Sequence, residues 1–121
     1  MVSDAKLVLV VDDDEMIRRL VRTVLEADDF SVVEAKSGDE ALQMVDDAKP
    51  AIVVLDVMMP GLNGVDVCRQ LDHDNVKVII LTARDDAALA EECMKAGADA
   101  FLTKPFSSIQ LLDLVEELLA A

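Results

Sequence analysis

Carboxylates, a hydroxyl and an amine stand where the apolar runs of this chain stop. LVLVV ends at Asp12 and Asp13, AIVVL at Asp56, VKVIIL at Thr82, and the short run AFLT at Lys104. Two carboxylates about 4 Å apart repel by about 4 kcal/mol at an effective dielectric of about 20. Three of them in one crevice must protonate, separate or bind a cation. An all-oxygen set without His or Cys favours a hard ion, Mg²⁺ first, then Mn²⁺ or Ca²⁺. With such an ion bound, one carboxylate is free to act as a nucleophile toward a phosphoryl group. Lys104 can then pair with one phosphoryl oxygen, and the Thr82 hydroxyl can hydrogen-bond another.

Whether these groups meet depends on the elements that carry them. Ala51–Leu55 is five apolar residues in succession, suited to a strand buried on both faces of a parallel sheet. Asp56 then falls at its carboxyl end, ahead of a turn through Pro60, Gly61, Asn63 and Gly64. Leu7–Val11 is a second such strand. The helix after it carries an apolar stripe of Ile17, Leu20, Val21, Val24 and Leu25, which leaves Arg18, Arg19, Arg22 and Glu26 on outer faces. Asp14 and Glu15 suit its cap and first turn, whereas Asp12 and Asp13 are not needed there.

Phe30–Ala35 alternates more and reads as a strand nearer an edge, followed by a helix over Asp39–Asp47 with Pro50 closing the connection. Val65–Leu71 is a short helix, and His73 lies in a polar loop as a solvated residue without chemistry. Val76–Leu81 is the fourth strand. Asp85 and Asp86 are N-cap candidates for a helix that runs to Ala96 and stops at Gly97. Ala100–Thr103 is the fifth strand, and Ser107 with Gln110 forms a capping box before a helix over Ile109–Leu119. Strict alternation implies an α/β fold: a flavodoxin-like, doubly wound, five-stranded parallel sheet of order 2-1-3-4-5 with five helices. In that order Asp12, Asp13, Asp56, Thr82 and Lys104 all converge on one edge of the sheet.

Composition narrows the partners. The 121 residues read as one domain spanning 1–121, with a 53% apolar fraction that is ample for a core. The net charge of −14, from 25 acids against 11 bases, argues against direct nucleic acid binding, which needs Lys and Arg for phosphate contacts. It suits divalent cations or basic protein surfaces. No apolar run approaches the ~20 residues that cross a bilayer, and the first residues lack a signal-peptide pattern. Cys68 and Cys93 are expected to be reduced, buried thiols of a cytoplasmic protein.

The combination LVVDDD, VVLDVMMPGLNG, IILTA and GADAFLTKPF resembles the receiver domain of two-component response regulators, over essentially the whole chain. The resemblance implies a signalling switch that catalyses its own phosphoryl acceptance and slow dephosphorylation, and not a turnover enzyme. It makes Asp56 the phosphoacceptor for a histidine kinase or phosphotransfer protein. It implies Asp13 and Asp56 as direct Mg²⁺ ligands (Mn²⁺ also serving), the Met58 carbonyl as a further ligand, and Asp12 acting mainly through water. Thr82 and Phe101 become the switch pair, Lys104 the phosphoryl-pairing lysine, and the Lys104-Pro105 bond cis. The output surface implied is the face of helix four, strand five and helix five, toward a downstream protein.

Two readings compete on the residues. A haloacid-dehalogenase-type hydrolase would want Asp-x-Asp-x-Thr after strand one, where Asp12-Asp13-Asp14-Glu15-Met16 ends in Met. A flavin protein of the same fold class would want a hydroxyl-rich phosphate loop where four acids stand. The chain also departs from chemotaxis-type receivers, with Met58 two residues after Asp56, Arg84 two after Thr82, and Phe101 in place of Tyr. A thioether at Met58 cannot orient an attacking water. Met58→Asn is therefore expected to release phosphate faster than the wild type in a chase of the phosphorylated protein; slower release would contradict the screening role.

Overall fold

The computed structural model of the protein describes residues 6–58, 64–83 and 86–120. Ten elements alternate along them: β1 (Leu7–Val11), α1 (Glu15–Glu26), β2 (Ser31–Ala35), α2 (Gly38–Ala48), β3 (Ile52–Leu55), α3 (Gly64–Gln70), β4 (Lys77–Thr82), α4 (Ala87–Lys95), β5 (Ala100–Thr103) and α5 (Ser108–Ala120). All strands are parallel, in the order β2-β1-β3-β4-β5 that the alternation implies. The turn residues Pro60, Gly61 and Asn63, together with Arg84 and Asp85, lie outside the described residues.

The apolar runs form strands because both of their faces are covered. Leu9, Val11, Val53, Leu55, Val78 and Ile80 point into one core, shared with α2, α3 and α4. Val8, Val10, Ile52, Val54, Ile79 and Leu81 point into the other, closed by α1 and α5. β1, β3 and β4 are buried almost throughout, and their residues alternate between the two cores. At roughly 2–5 kcal/mol for truncating one such Leu or Ile to Ala, these strands are the stiff base of the molecule.

Helix ends follow the capping signals. Asp14 accepts from the Met16 N–H, Ser37 from Glu40, and Asp86 from Ala88 and Leu89. The Ser107–Gln110 box closes reciprocally, both bonds at 3.0 Å. Gly64 opens α3 so close to Val57 that a Cβ would overlap the Val57 backbone.

The outer face of α1 differs from the apolar-stripe reading. Leu20 is 45% exposed, while the Arg18 side chain is only 13% exposed and lies along the sheet edge. A guanidinium reaches over neighbouring residues on a long stem, so its burial is set by its partners and not by its place on the wheel. His73 also differs from its reading as a solvated residue. It is half-buried, and its Nε2 lies 2.6 Å from the Cys68 carbonyl, an N–H donor closing the end of α3.

Gly97 is what admits that ring. It stands at φ +110 after α4, in the left-handed region that terminates helices at glycine. A Cβ there would meet His73 Nε2 at 2.5 Å. Gly97→Ala is expected to cost about 2 kcal/mol or more, from backbone strain plus overlap. Urea unfolding of the single and double variants separates the two: in a His73→Ala background the cost of Gly97→Ala should shrink to the strain alone. An unchanged cost would show that the ring does not oppose the methyl.

Candidate functional site

β1 and β3 are neighbours, so the residues that follow them share one end of the sheet. Asp12 is 1% exposed, Asp56 4%, and Thr82, at the end of β4, is fully buried. Asp13 points to solvent. One carboxylate oxygen from each of Asp12, Asp13 and Asp56 can be chosen so that all three lie within 4.8 Å of one another, a spacing that one cation could bridge.

The two buried acids are held by backbone. Asp12 Oδ1 accepts the Asp14 N–H at 2.9 Å, and Asp56 Oδ1 accepts the Met58 N–H at 2.8 Å. Lys104 reaches in from the residue after β5, its own N–H donating to the Thr82 carbonyl at 2.7 Å. Its Nζ lies 2.7 Å from Asp12 Oδ2 and 3.4 Å from Asp56 Oδ2. One ammonium thus serves two buried carboxylates, with the closer contact to Asp12. The Lys104-Pro105 peptide is cis.

Electrostatics follow from this arrangement. Burial pushes the Asp56 carboxyl up from the usual aspartate range, the Asp12 charge pushes it further, and the Met58 N–H and Lys104 hold it back in part. For Lys104, burial works against the charge, but the bond from Asp12 and the fields of Asp56 and Asp12 outweigh it, so its pKa rises. A divalent cation would suit this donor set: it is all oxygen, it has a solvent-facing member in Asp13, and its buried member carries an unfavourable charge.

The residues expected at the site are gathered to different degrees. Asp12, Asp13, Asp56 and Lys104 form one cluster, and Thr82 lies on the strand beside it. Phe101 stands opposite Ile80 and Thr103 opposite Thr82, so Phe101 and Thr82 share the sheet face toward α3 and α4 as diagonal neighbours. Phe101 is half-buried against that core. Met58 is 47% exposed beside Asp56. Arg18 was missed by sequence reasoning, although it donates from Nη1 to the Asp12 carbonyl at 2.7 Å.

A carboxyl raised in the folded chain above its unfolded value contributes stability below the unfolded pKa and loses it as pH rises through the folded one. At neutral pH, without divalent cations, ionised Asp56 therefore opposes folding. Asp56→Asn is expected to raise the Tm by a few degrees under those conditions, with the gain vanishing once pH falls below the ordinary aspartate range. Thermal melts in EDTA across pH check this, and a variant no more stable than the wild type at pH 7 would contradict it.

Comparison with known proteins identifies the family. Residues 8–116 match the family described as response regulator receiver domain. Response regulator MprA of Mycobacterium sp. (strain KMS) is 44% identical over 114 residues, 93% of this chain and 50% of that protein. MprA of Mycobacterium leprae (strain TN) matches to the same extent. The chain thus spans about half the length of the curated relatives it matches. Among solved structures, the BeF3-activated DrrB receiver domain superposes with a TM-score of 0.89 at 33% identity, covering 97% of this chain and 99% of that one. A response regulator from Thermotoga maritima gives 0.88 at 30%, covering 97% and 99%. Chemotaxis response regulator CheY4 of Vibrio cholerae gives 0.86 at 28%, covering 94% and 98%. With its acids at the ends of β1 and β3 and its lysine after β5, the chain belongs to the response regulator receiver domain family.

Proposed function

We propose that the chain is a phosphorylation switch that takes a phosphoryl group from a histidine kinase, or a phosphotransfer protein, onto Asp56. The observation that carries this reading is the shared ammonium: Lys104 lies between Asp12 and Asp56 and is drawn most closely to the one that is not the acceptor. An Asp56 oxygen attacks phosphorus, the P–N bond of the phosphohistidine breaks, and its electron pair leaves with the imidazole nitrogen. Lys104 is within reach of a phosphoryl oxygen added to Asp56, and Thr82 supplies a hydroxyl from the end of β4.

Mg²⁺ would be held by Asp13 and Asp56, with the Met58 carbonyl as a further ligand, and would supply charge neutralisation at the phosphoryl oxygens. Both Asp12 oxygens are already engaged, by the Asp14 N–H and by Lys104, which suits a role through water. The Met58 N–H orients the acceptor. The product is a stoichiometric acyl phosphate with slow loss, so the chain is a switch and not a turnover enzyme, and a cytoplasmic setting goes with that reading.

Phe101 and Thr82, on one sheet face, would pass the change to α4, β5 and α5. α5 has no basic residue, and Asp113, Glu116 and Glu117 line it. Its wide apolar arc is largely used internally: Leu111 and Val115 are buried, and Leu112, Leu114, Leu118 and Leu119 pack beside them, while Ile109 is 71% exposed. A downstream protein with a basic surface suits this face better than a salt-bridged self-dimer or nucleic acid.

The test is incubation with acetyl phosphate and Mg²⁺. Wild type should gain one acid-stable, hydroxylamine-labile phosphate, Asp56→Asn none, and Asp13→Ala should need more Mg²⁺ than Asp12→Ala. Catalytic turnover of the donor, or undiminished labelling of Asp56→Asn, would overturn the assignment.

A further inference from the structure

The Asp12–Asp13 peptide joins a buried acid to an exposed one, and its carbonyl oxygen is held by a side chain from outside the acidic cluster. Arg18 Nη1 donates to the Asp12 carbonyl at 2.7 Å, while Arg18 Nε donates to Glu34 Oε1 at 3.0 Å. Glu34 lies on β2 opposite Val10, and so faces α1. Its second oxygen pairs with Arg22 Nη1 at 2.9 Å, and Arg22 Nη2 donates to the Val32 carbonyl at 2.7 Å. The guanidinium of Arg18 is therefore clamped on one side by a fixed acid and aims its other side at a single peptide plane. A planar fork with donors on two edges can do this, whereas a flexible ammonium holds one partner at a time.

We infer that Arg18, braced by Glu34, is a positioning residue for the divalent cation: it fixes the Asp12–Asp13 peptide so that the Asp13 carboxylate is presented toward Asp12 and Asp56. The inference rests on the proposed cation site and names what organises it from behind. Ligand-orienting partners of this kind typically change metal affinity by about 10- to 100-fold. Field and geometry make opposite demands here. A cation beside an acidic site repels a second cation, so removing Arg18 would tighten metal binding if its charge were what mattered. If its geometry matters, removal weakens binding.

Mn²⁺ is the probe, because the free ion is counted directly by electron paramagnetic resonance and the protein contains no Trp or Tyr to report by fluorescence. Arg18→Met should raise the Mn²⁺ dissociation constant about tenfold, and Arg18→Lys should recover part of that loss. Glu34→Gln, which frees the clamp without removing the guanidinium, should weaken binding in the same direction. Thermal melts guard against a general loss of structure. A destabilised but well-formed site lowers the Tm equally with EDTA and with Mn²⁺, whereas a misplaced ligand shrinks the Mn²⁺-dependent gain. Unchanged or tighter Mn²⁺ binding by Arg18→Met, with an undiminished Mn²⁺-dependent gain in Tm, would overturn the positioning role alone. A wild type that binds no Mn²⁺ would instead remove the cation site, and the inference with it.

Discussion

Two carboxylates with almost no exposure, Asp12 and Asp56, share one ammonium at the end of a parallel sheet. Isolated burial of either charge would be costly by several kcal/mol, and Lys104 offsets only part of that for the pair. The rest of the molecule answers to this constraint. The strands must stop at the right residue, since a slip of one position would turn every side chain to the opposite core. β1 and β3 must be adjacent, so the connection from β2 has to cross over β1. β5 must lie far enough along the sheet that the residue after it reaches back across β4. The right-handed order 2-1-3-4-5 meets all three demands.

That arrangement leaves a site that is strained electrostatically but rigid mechanically. The base consists of strands buried on both faces, while the rim consists of side chains and short turns. A chemical change at Asp56 would act on a base that does not yield. Under the proposed function its effect would be taken up at the rim, at Thr82 on the β4 end and at Phe101 on the edge strand. Phe101 is half-buried, so it has room that the fully packed Ile80 opposite it lacks. A rotamer change of one such ring lies within the few kcal/mol by which ligands bias two-state equilibria.

Much of this is legible in the sequence. Four apolar runs ending in polar residues identify strands and the edge where they converge, and Asp14, Asp86 and the Ser107–Gln110 pair announce helix starts through local hydrogen bonds. Those features depend on residues within four positions of each other. What could not be read depends on contacts across the chain. Helical periodicity puts Arg18 on an outer face because it sees only where a Cα sits, not where a long side chain ends. Leu20 was assigned inward by the same periodicity, and the neighbouring arginines occupy the sheet edge while it remains exposed. His73 sits in a polar stretch, and nothing nearby in sequence reveals that Gly97, on another helix end, leaves a recess for its ring.

The core shared with α2, α3 and α4 has a property of a different kind. Cys68 on α3 and Cys93 on α4 are both fully buried, and burial pushes the Cys68 thiol up to about 11 and the Cys93 thiol upward as well. Thiolates are the reactive form, so neither sulfur meets a reagent while the layer is closed. Alkylation then proceeds only through openings that part α3 and α4 from the sheet. The two sulfurs make that layer a clock: the rate at which they are consumed counts how often the helices beside Phe101 lift, without any label being introduced.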